Sequence, residues 1–233
     1  MLKEEQLNID YSCHVIYSKE AKNAILKLVK EHYPDTWGNV FEKIQRRYEA
    51  YLKDYRRNLG GAKNFHNGLG GTYDCIFYFC LWEVCKDDIS FEELEHNYAE
   101  IMLPSFQKLK LFNGNHRIIH RMMYLVFKNA KKRCDAFGDY NMYINSYDKE
   151  QPLTYHFTTC PTAEFARENG FTDILPALCN VDYACMECIH MKLIRTKTLG
   201  FADCCDYRIV GDQDPLVQQH PEYRDENGYI RNK

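Results

Sequence analysis

Residues 154–170 read TYHFTTCPTAEFARENG, and the reading of this stretch sets the fold. From Thr154 to Thr159 the residues are β-branched or aromatic and follow the period of two expected of a half-buried strand. Cys160 then stands directly before Pro161, and proline is favoured at the first position of a helix because its missing N–H would lack a partner there anyway. A short helical spacing follows, and Gly170 supplies the left-handed residue that closes a helix. The stretch predicts a strand that passes into a helix through a cysteine at the N-cap.

Outward from this junction the same period recurs. NMYINSYD (141–148) and LTYHFTT (153–159), separated by KEQP, predict an antiparallel hairpin. KLIRTKTL (192–199) and CDYRIV (205–210) predict two further strands, with helical patterns at 161–169 and 181–190 between them. Upstream, the first 135 residues are helical in period. Ala21, Ala24, Ile25, Leu28 and Val29 form one stripe behind Ser18, and Phe41, Ile44, Tyr48, Tyr51, Leu52 and Tyr55 form a second. Ser90 and Glu93 have the spacing of a capping box. Ile118, Ile119, Met122, Met123, Val126 and Ala130 mark a further helix. The glycines of LGG (59–61) and NGLGGT (67–72) read as turns between helices, because they lack the lysine and serine or threonine of a phosphate loop. The predicted class is α+β: a helical part at 1–135, an α+β part with a small antiparallel sheet at 136–210, and a polar, irregular extension at 211–233, all in one compact domain.

The totals narrow the function. A chain of 233 residues with 30 basic and 33 acidic side chains, net −3, has no basic stripe for nucleic acid. The longest apolar run, CIFYFCLWEVC at 75–85, contains Glu83 and falls short of the roughly 20 residues that cross a bilayer, so it predicts a buried helix and no membrane partner. MLKEEQLNIDYS at the N-terminus lacks the cationic start and apolar stretch of a secretory signal, which predicts a cytoplasmic chain with reduced thiols. Eleven cysteines are an odd number without small-scaffold spacing, and free cysteine packs as a small hydrophobe.

Position marks Cys160 as a candidate nucleophile: an N-cap thiol faces unpaired N–H groups and the positive end of the helix dipole, which favour thiolate. A plain capping residue or a buried small residue is the alternative. His156 is the candidate base, but four residues of strand span about 13 Å, so contact requires the chain to turn before Cys160. Cys185, Cys188 and His190 offer part of a zinc site, or one packed helix face. Asp182 either serves chemistry or stabilises the first turn of its own helix, and Arg195 is a ligand-binding residue, an exposed strand arginine or half of a structural ion pair. Cys205 and Asp206, adjacent on one strand, face opposite sides, so one of them is expected to be structural.

The succession HFTTCPTAEFARENG, LPALCNVDYA and RTKTLGFADCCDY resembles the L-2-amino-thiazoline-4-carboxylic acid hydrolase family, densest over residues 154–210 and weaker over the helical segments that precede them. The resemblance implies ring-opening hydrolysis of a cyclic amidine or isothiourea to an N-carbamoyl cysteine type of product, classed as a hydrolase acting on C–N bonds. It implies Cys160, Asp182, Asp206, Cys205 and His156 as catalytic candidates and Arg195, Thr198 and Cys179 as substrate-binding candidates. A cofactor-free reaction on a small molecule is expected. Two alternatives stay open: a metal-dependent hydrolase with the same cysteines, His156 or the aspartates as ligands, and a non-catalytic ligand-binding or redox-sensing module.

Overall fold

Ser18 opens the first helix by accepting the Ala21 N–H on its side-chain oxygen at 2.9 Å, which satisfies one of the orphan donors of a helix start. The computed structural model in which this is seen describes residues 16–55, 57–67, 69 and 71–233. The N-terminal stretch that carries the reading of a cytoplasmic chain lies outside the described residues, as do Cys13, Gly68 and Gly70. Helix α1 (Lys19–His32) buries the expected stripe of Ala21, Ala24, Ile25, Leu28 and Val29. Helix α2 (Trp37–Asp54) buries Phe41, Ile44, Tyr48 and Leu52. Gly60 and Gly61 take positive φ at the turn into a short helix, α3 (Gly61–Asn67).

Helix α4 (Thr72–Cys85) is apolar on nearly every side, and a helix with that pattern belongs in the interior. It lies against α1, α2 and α5 (Phe91–Gln107), which begins with the predicted capping box of Ser90 and Glu93. Helix α6 (Arg117–Phe137) follows and packs along the edge of the sheet. No described helix is long and apolar enough to cross a membrane.

Strands β1 (Asn141–Ile144) and β2 (Leu153–Thr159) form the predicted hairpin. Helix α7 (Pro161–Asn169) follows β2 directly, and Gly170 closes it at φ +77°. Then come α8 (Leu175–Cys179), which the periodicity did not announce, and α9 (Val181–Glu187). Strands β3 (Met191–Ile194) and β4 (Cys205–Gly211) complete an antiparallel sheet of order β1-β2-β4-β3. The sheet buries one face, with Tyr155 of β2 stacked on Tyr207 of β4 at 4.7 Å between ring centres and on Phe127 of α6 at 4.4 Å. The mixed α+β architecture read from the sequence is the one observed.

Several boundaries differ from the expectation: β1 stops at Ile144, short of 148, and α9 at Glu187, short of 190. The strand read over 192–199 ends at Ile194, so Arg195 and Thr198 lie in the loop to β4. The tail is not irregular: it forms α10 (Pro215–Gln219) and a hairpin of β5 (Glu222–Arg224) with β6 (Ile230–Asn232). Its order comes from distant partners. The Asn232 N–H bonds to the Arg195 carbonyl at 2.9 Å, and Asn180 holds both the Ile230 N–H at 2.8 Å and the Gly228 carbonyl at 2.9 Å.

Candidate active site

The junction between β2 and α7 is fixed from the helix side. Phe165, one turn into α7, stacks on Phe79 of α4 at 5.7 Å, and Tyr51 and Tyr55 of the α2 region meet it edge-on. The Tyr55 hydroxyl also donates to the Pro161 carbonyl at 3.2 Å. Cys160 is thereby held as the N-cap of α7, with extended backbone and no side-chain capping bond. Its thiol lies where the Thr162 and Ala163 amides act on it.

A second group gathers around Arg195, whose side chain is 1% exposed although it leaves β3 at the start of a loop. Its guanidinium donates to the Cys179 carbonyl at 3.2 Å, to Asp182 Oδ2 at 3.5 Å and to the Ile230 carbonyl at 3.3 Å, and lies over the rings of Tyr183 and Tyr207. The Tyr207 hydroxyl donates to the same Asp182 oxygen at 3.2 Å. Both bonds fall on Oδ2, and the Asp182 side chain stays 43% exposed. Next to it the Cys205 thiol accepts the Leu199 N–H at 3.1 Å and lies 3.6 Å from the buried Thr198 hydroxyl.

The two groups act on one another through charge. Burial is the largest influence on Cys160, Cys179 and Asp182, yet each keeps part of its surface open to water, and this half-buried cluster is the candidate recess. A charge on Cys205 acts on both Cys160 and Cys179, and a charge on Cys160 acts on Cys179. Burial pushes the Cys160 thiol up to about 12; a charge on Cys205 adds to the shift, and the Ala163 and Thr162 amides work against it. This corrects the expectation of a thiol made acidic by the helix start: desolvation outweighs the amides. Burial also raises Cys179 and Cys205, and raises the Asp182 carboxyl against the pull of Arg195 and Tyr207.

His156 and Asp206 lie elsewhere. They face each other in register on β2 and β4, between neighbours Tyr155, Phe157, Cys205 and Tyr207 that point to the buried side. His156 stacks on Tyr143 at 4.9 Å, on the face opposite Tyr155 and Cys205, and is not brought to Cys160, which lies past the end of β2 as the N-cap of α7. Asp206 accepts the Thr196 N–H at 2.8 Å, the Lys197 N–H at 2.6 Å and the Thr196 hydroxyl at 2.7 Å, so its carboxylate ties down the loop that carries Arg195 and Thr198. Of the adjacent pair, Cys205 faces the recess and Asp206 is the structural member. His190 pairs with Asp212 at 3.1 Å, and Cys185 is buried.

Three residues of the recess were not singled out from sequence. Tyr207 and Tyr183 stand inside the quoted motifs, as the aromatic after Cys-Asp and the tyrosine after Asp182, and that adjacency was an available signal. Tyr140 had none: its hydroxyl meets Thr72 at 3.1 Å, Thr162 reaches the same Thr72 at 3.2 Å, and a charge on Cys160 acts on it. Among the described residues no group of three or more His, Cys, Asp or Glu side chains is arranged to hold a metal ion.

No curated protein and no solved structure is a significant match to the chain. The model of one family matches residues 92–209, just over half of the chain, a span that runs from α5 to β4 and contains all three recess cysteines, Asp182 and Arg195. On that match the chain belongs to the L-2-amino-thiazoline-4-carboxylic acid hydrolase family.

Proposed function

We propose that the chain is a hydrolase that opens a small cyclic amidine or isothiourea ring bearing a carboxylate, of the kind of L-2-amino-thiazoline-4-carboxylate, by cysteine-centred chemistry at this recess. The observation that carries the reading is the convergence of three thiols with an arginine-held carboxylate, all from the family-matched span, in one partly accessible and strongly desolvated space. The ten described cysteines are free, which fits a reducing, cytoplasmic setting.

In the ring, C2 bonds to the sulfur and to two nitrogens and is electrophilic. The Cys160 sulfur adds to C2 while its proton passes to the ring nitrogen, a base that arrives with the substrate; this answers how a thiol held near 12 is activated. The Thr162 and Ala163 amides, which already favour negative charge on this sulfur, offset the charge that develops there. The C2–S ring bond then breaks and the ring sulfur leaves as a thiol, its proton supplied by the amidine. Water adds to the enzyme-bound isothiourea carbon, and Cys160 leaves with a proton. The sum is one water consumed and one N-carbamoyl cysteine formed. Because the carbamoyl carbon stays on nitrogen in that product, the bond broken is C–S, in place of the C–N class expected from the resemblance. Asp182 offers its open carboxylate oxygen to the amidine nitrogens, and Arg195 directs positive charge toward the substrate carboxylate. Cys179, Cys205 and Thr198 complete the wall.

The test is incubation of the purified protein with L-2-amino-thiazoline-4-carboxylate, with loss of the ring and gain of free thiol followed together. Equal and catalytic appearance of thiol supports the reading; no ring loss at any enzyme concentration contradicts it for this substrate.

A further inference from the structure

Tyr229 lies in the C-terminal hairpin, twenty residues beyond the end of the family-matched span. Its side chain is 2% exposed, yet its hydroxyl has no hydrogen-bond partner in the protein. An unsatisfied buried hydroxyl costs about 1–3 kcal/mol, so its retention calls for a partner that the protein itself does not supply. The location of the hydroxyl is specific. It presses on Gly200, where an added Cβ would lie 1.9 Å from it, and Gly200 follows Leu199, whose N–H reaches Cys205 Sγ at 3.1 Å. The ring is wedged edge-on against Phe201 at 5.5 Å. Charges on Cys179, Arg195 and Cys205 all act on this hydroxyl.

A second orphan belongs to Arg195, whose guanidinium reaches the carbonyl of Ile230, the residue after Tyr229, at 3.3 Å. Arg195 Nε is buried without a partner, while the other two guanidinium nitrogens are engaged by Cys179, Asp182 and Ile230, the residue next to Tyr229. Two desolvated donors with no acceptor, one of them on a cation, are complementary to an anionic oxygen. We infer that Tyr229 is a substrate-binding residue, its hydroxyl and Arg195 Nε together receiving the carboxylate of the ring substrate. The C-terminal hairpin thus completes the site that the family-matched span builds. The inference rests on the hydrolase reading for the identity of the ligand, and on the two orphan donors for the place where its carboxylate binds.

The test separates the two by using a ring that cannot be opened. Binding of L-thiazolidine-4-carboxylate and of plain thiazolidine is measured by titration calorimetry on the wild type and on Tyr229→Phe, which keeps the ring against Phe201 and removes only the hydroxyl. The expected result is a melting temperature no lower than that of the wild type. Affinity for the carboxylate should fall roughly 10- to 100-fold, the worth of a hydrogen bond to a charged group, and affinity for plain thiazolidine should be unchanged. Equal carboxylate affinity in the two proteins, or a wild type that does not distinguish the carboxylate from plain thiazolidine, overturns the inference whether or not the protein opens thiazolines. Turnover of the aminothiazoline is scored separately and bears on the hydrolase reading alone.

Discussion

Cys205 and Asp206 are neighbours on β4 and work on opposite faces of the sheet: the thiol takes the Leu199 N–H at 3.1 Å inside the recess, and the carboxylate takes the Thr196 and Lys197 N–H groups outside it. A single loop, 195–204, is therefore held from both sides. Asp206→Ala removes three bonds to a charged acceptor and leaves two loop amides to water. We expect a stability loss of about 2–3 kcal/mol in urea denaturation. Cys205→Ala should cost less stability while changing the recess. Equal stability of Asp206→Ala and wild type would show that the loop does not depend on this carboxylate.

Arg195 is the buried cation that joins α8, α9, the loop and the C-terminal hairpin. Arg195→Ala removes the charged donor shared by the Cys179 and Ile230 carbonyls and opens the tail, so a loss of about 2–3 kcal/mol is expected. Hydrogen exchange should report the change first at Ile230 and Asn232. Protection there that survives the substitution would mean that the backbone of residue 195, Asn180 and Tyr183 hold the hairpin without the Arg195 side chain.

The Cys160 thiol gives a pH dependence with a definite sign. Its folded-state value, about 12, lies above the roughly 8.5 of an ordinary thiol. Its contribution to stability is therefore complete below about 8.5 and is lost as pH rises toward 12. Alkylation of Cys160 by iodoacetamide, followed by peptide mass analysis without substrate, should keep accelerating above pH 9. A plateau at pH 8 would contradict the dominance of burial over the helix-start amides.

Gly200 is required by the close approach of Tyr229. Gly200→Ala places a methyl group against the Tyr229 hydroxyl and ring, with expected losses of about 1–3 kcal/mol on thermal melting. An unchanged melting temperature would mean that the hairpin shifts freely, and would weaken the case that it is part of the site.

How far the sequence discloses this molecule follows from where the determining forces lie. The run from Leu153 to Gly170 is legible residue by residue, because alternation, Cys-Pro and a terminal glycine are local signals that tertiary packing here reinforces. KLIRTKTL reads as one strand, yet β3 stops at Ile194, because Asp206 captures the Thr196 and Lys197 amides that a ladder would need. The tail is polar and aperiodic, and its hairpin is ordered by Arg195 and Asn180, residues far away in the chain. The cysteines, Asp182 and Arg195 of the recess could be named because they stand in patterned segments. The placement of His156 on the far face could not, since it depends on how the chain turns after Thr159.

In the proposed reaction Cys160 carries the ring opening. The most direct test is the rate of thiol release from L-2-amino-thiazoline-4-carboxylate by the wild type and by Cys160→Ala, with Cys179→Ala and Cys205→Ala alongside and the fold of each checked by thermal melting. We predict loss of at least about 1,000-fold in Cys160→Ala, with measurable turnover kept in the other two. Undiminished turnover in a folded Cys160→Ala protein would contradict the account and move the chemistry to another group of the recess.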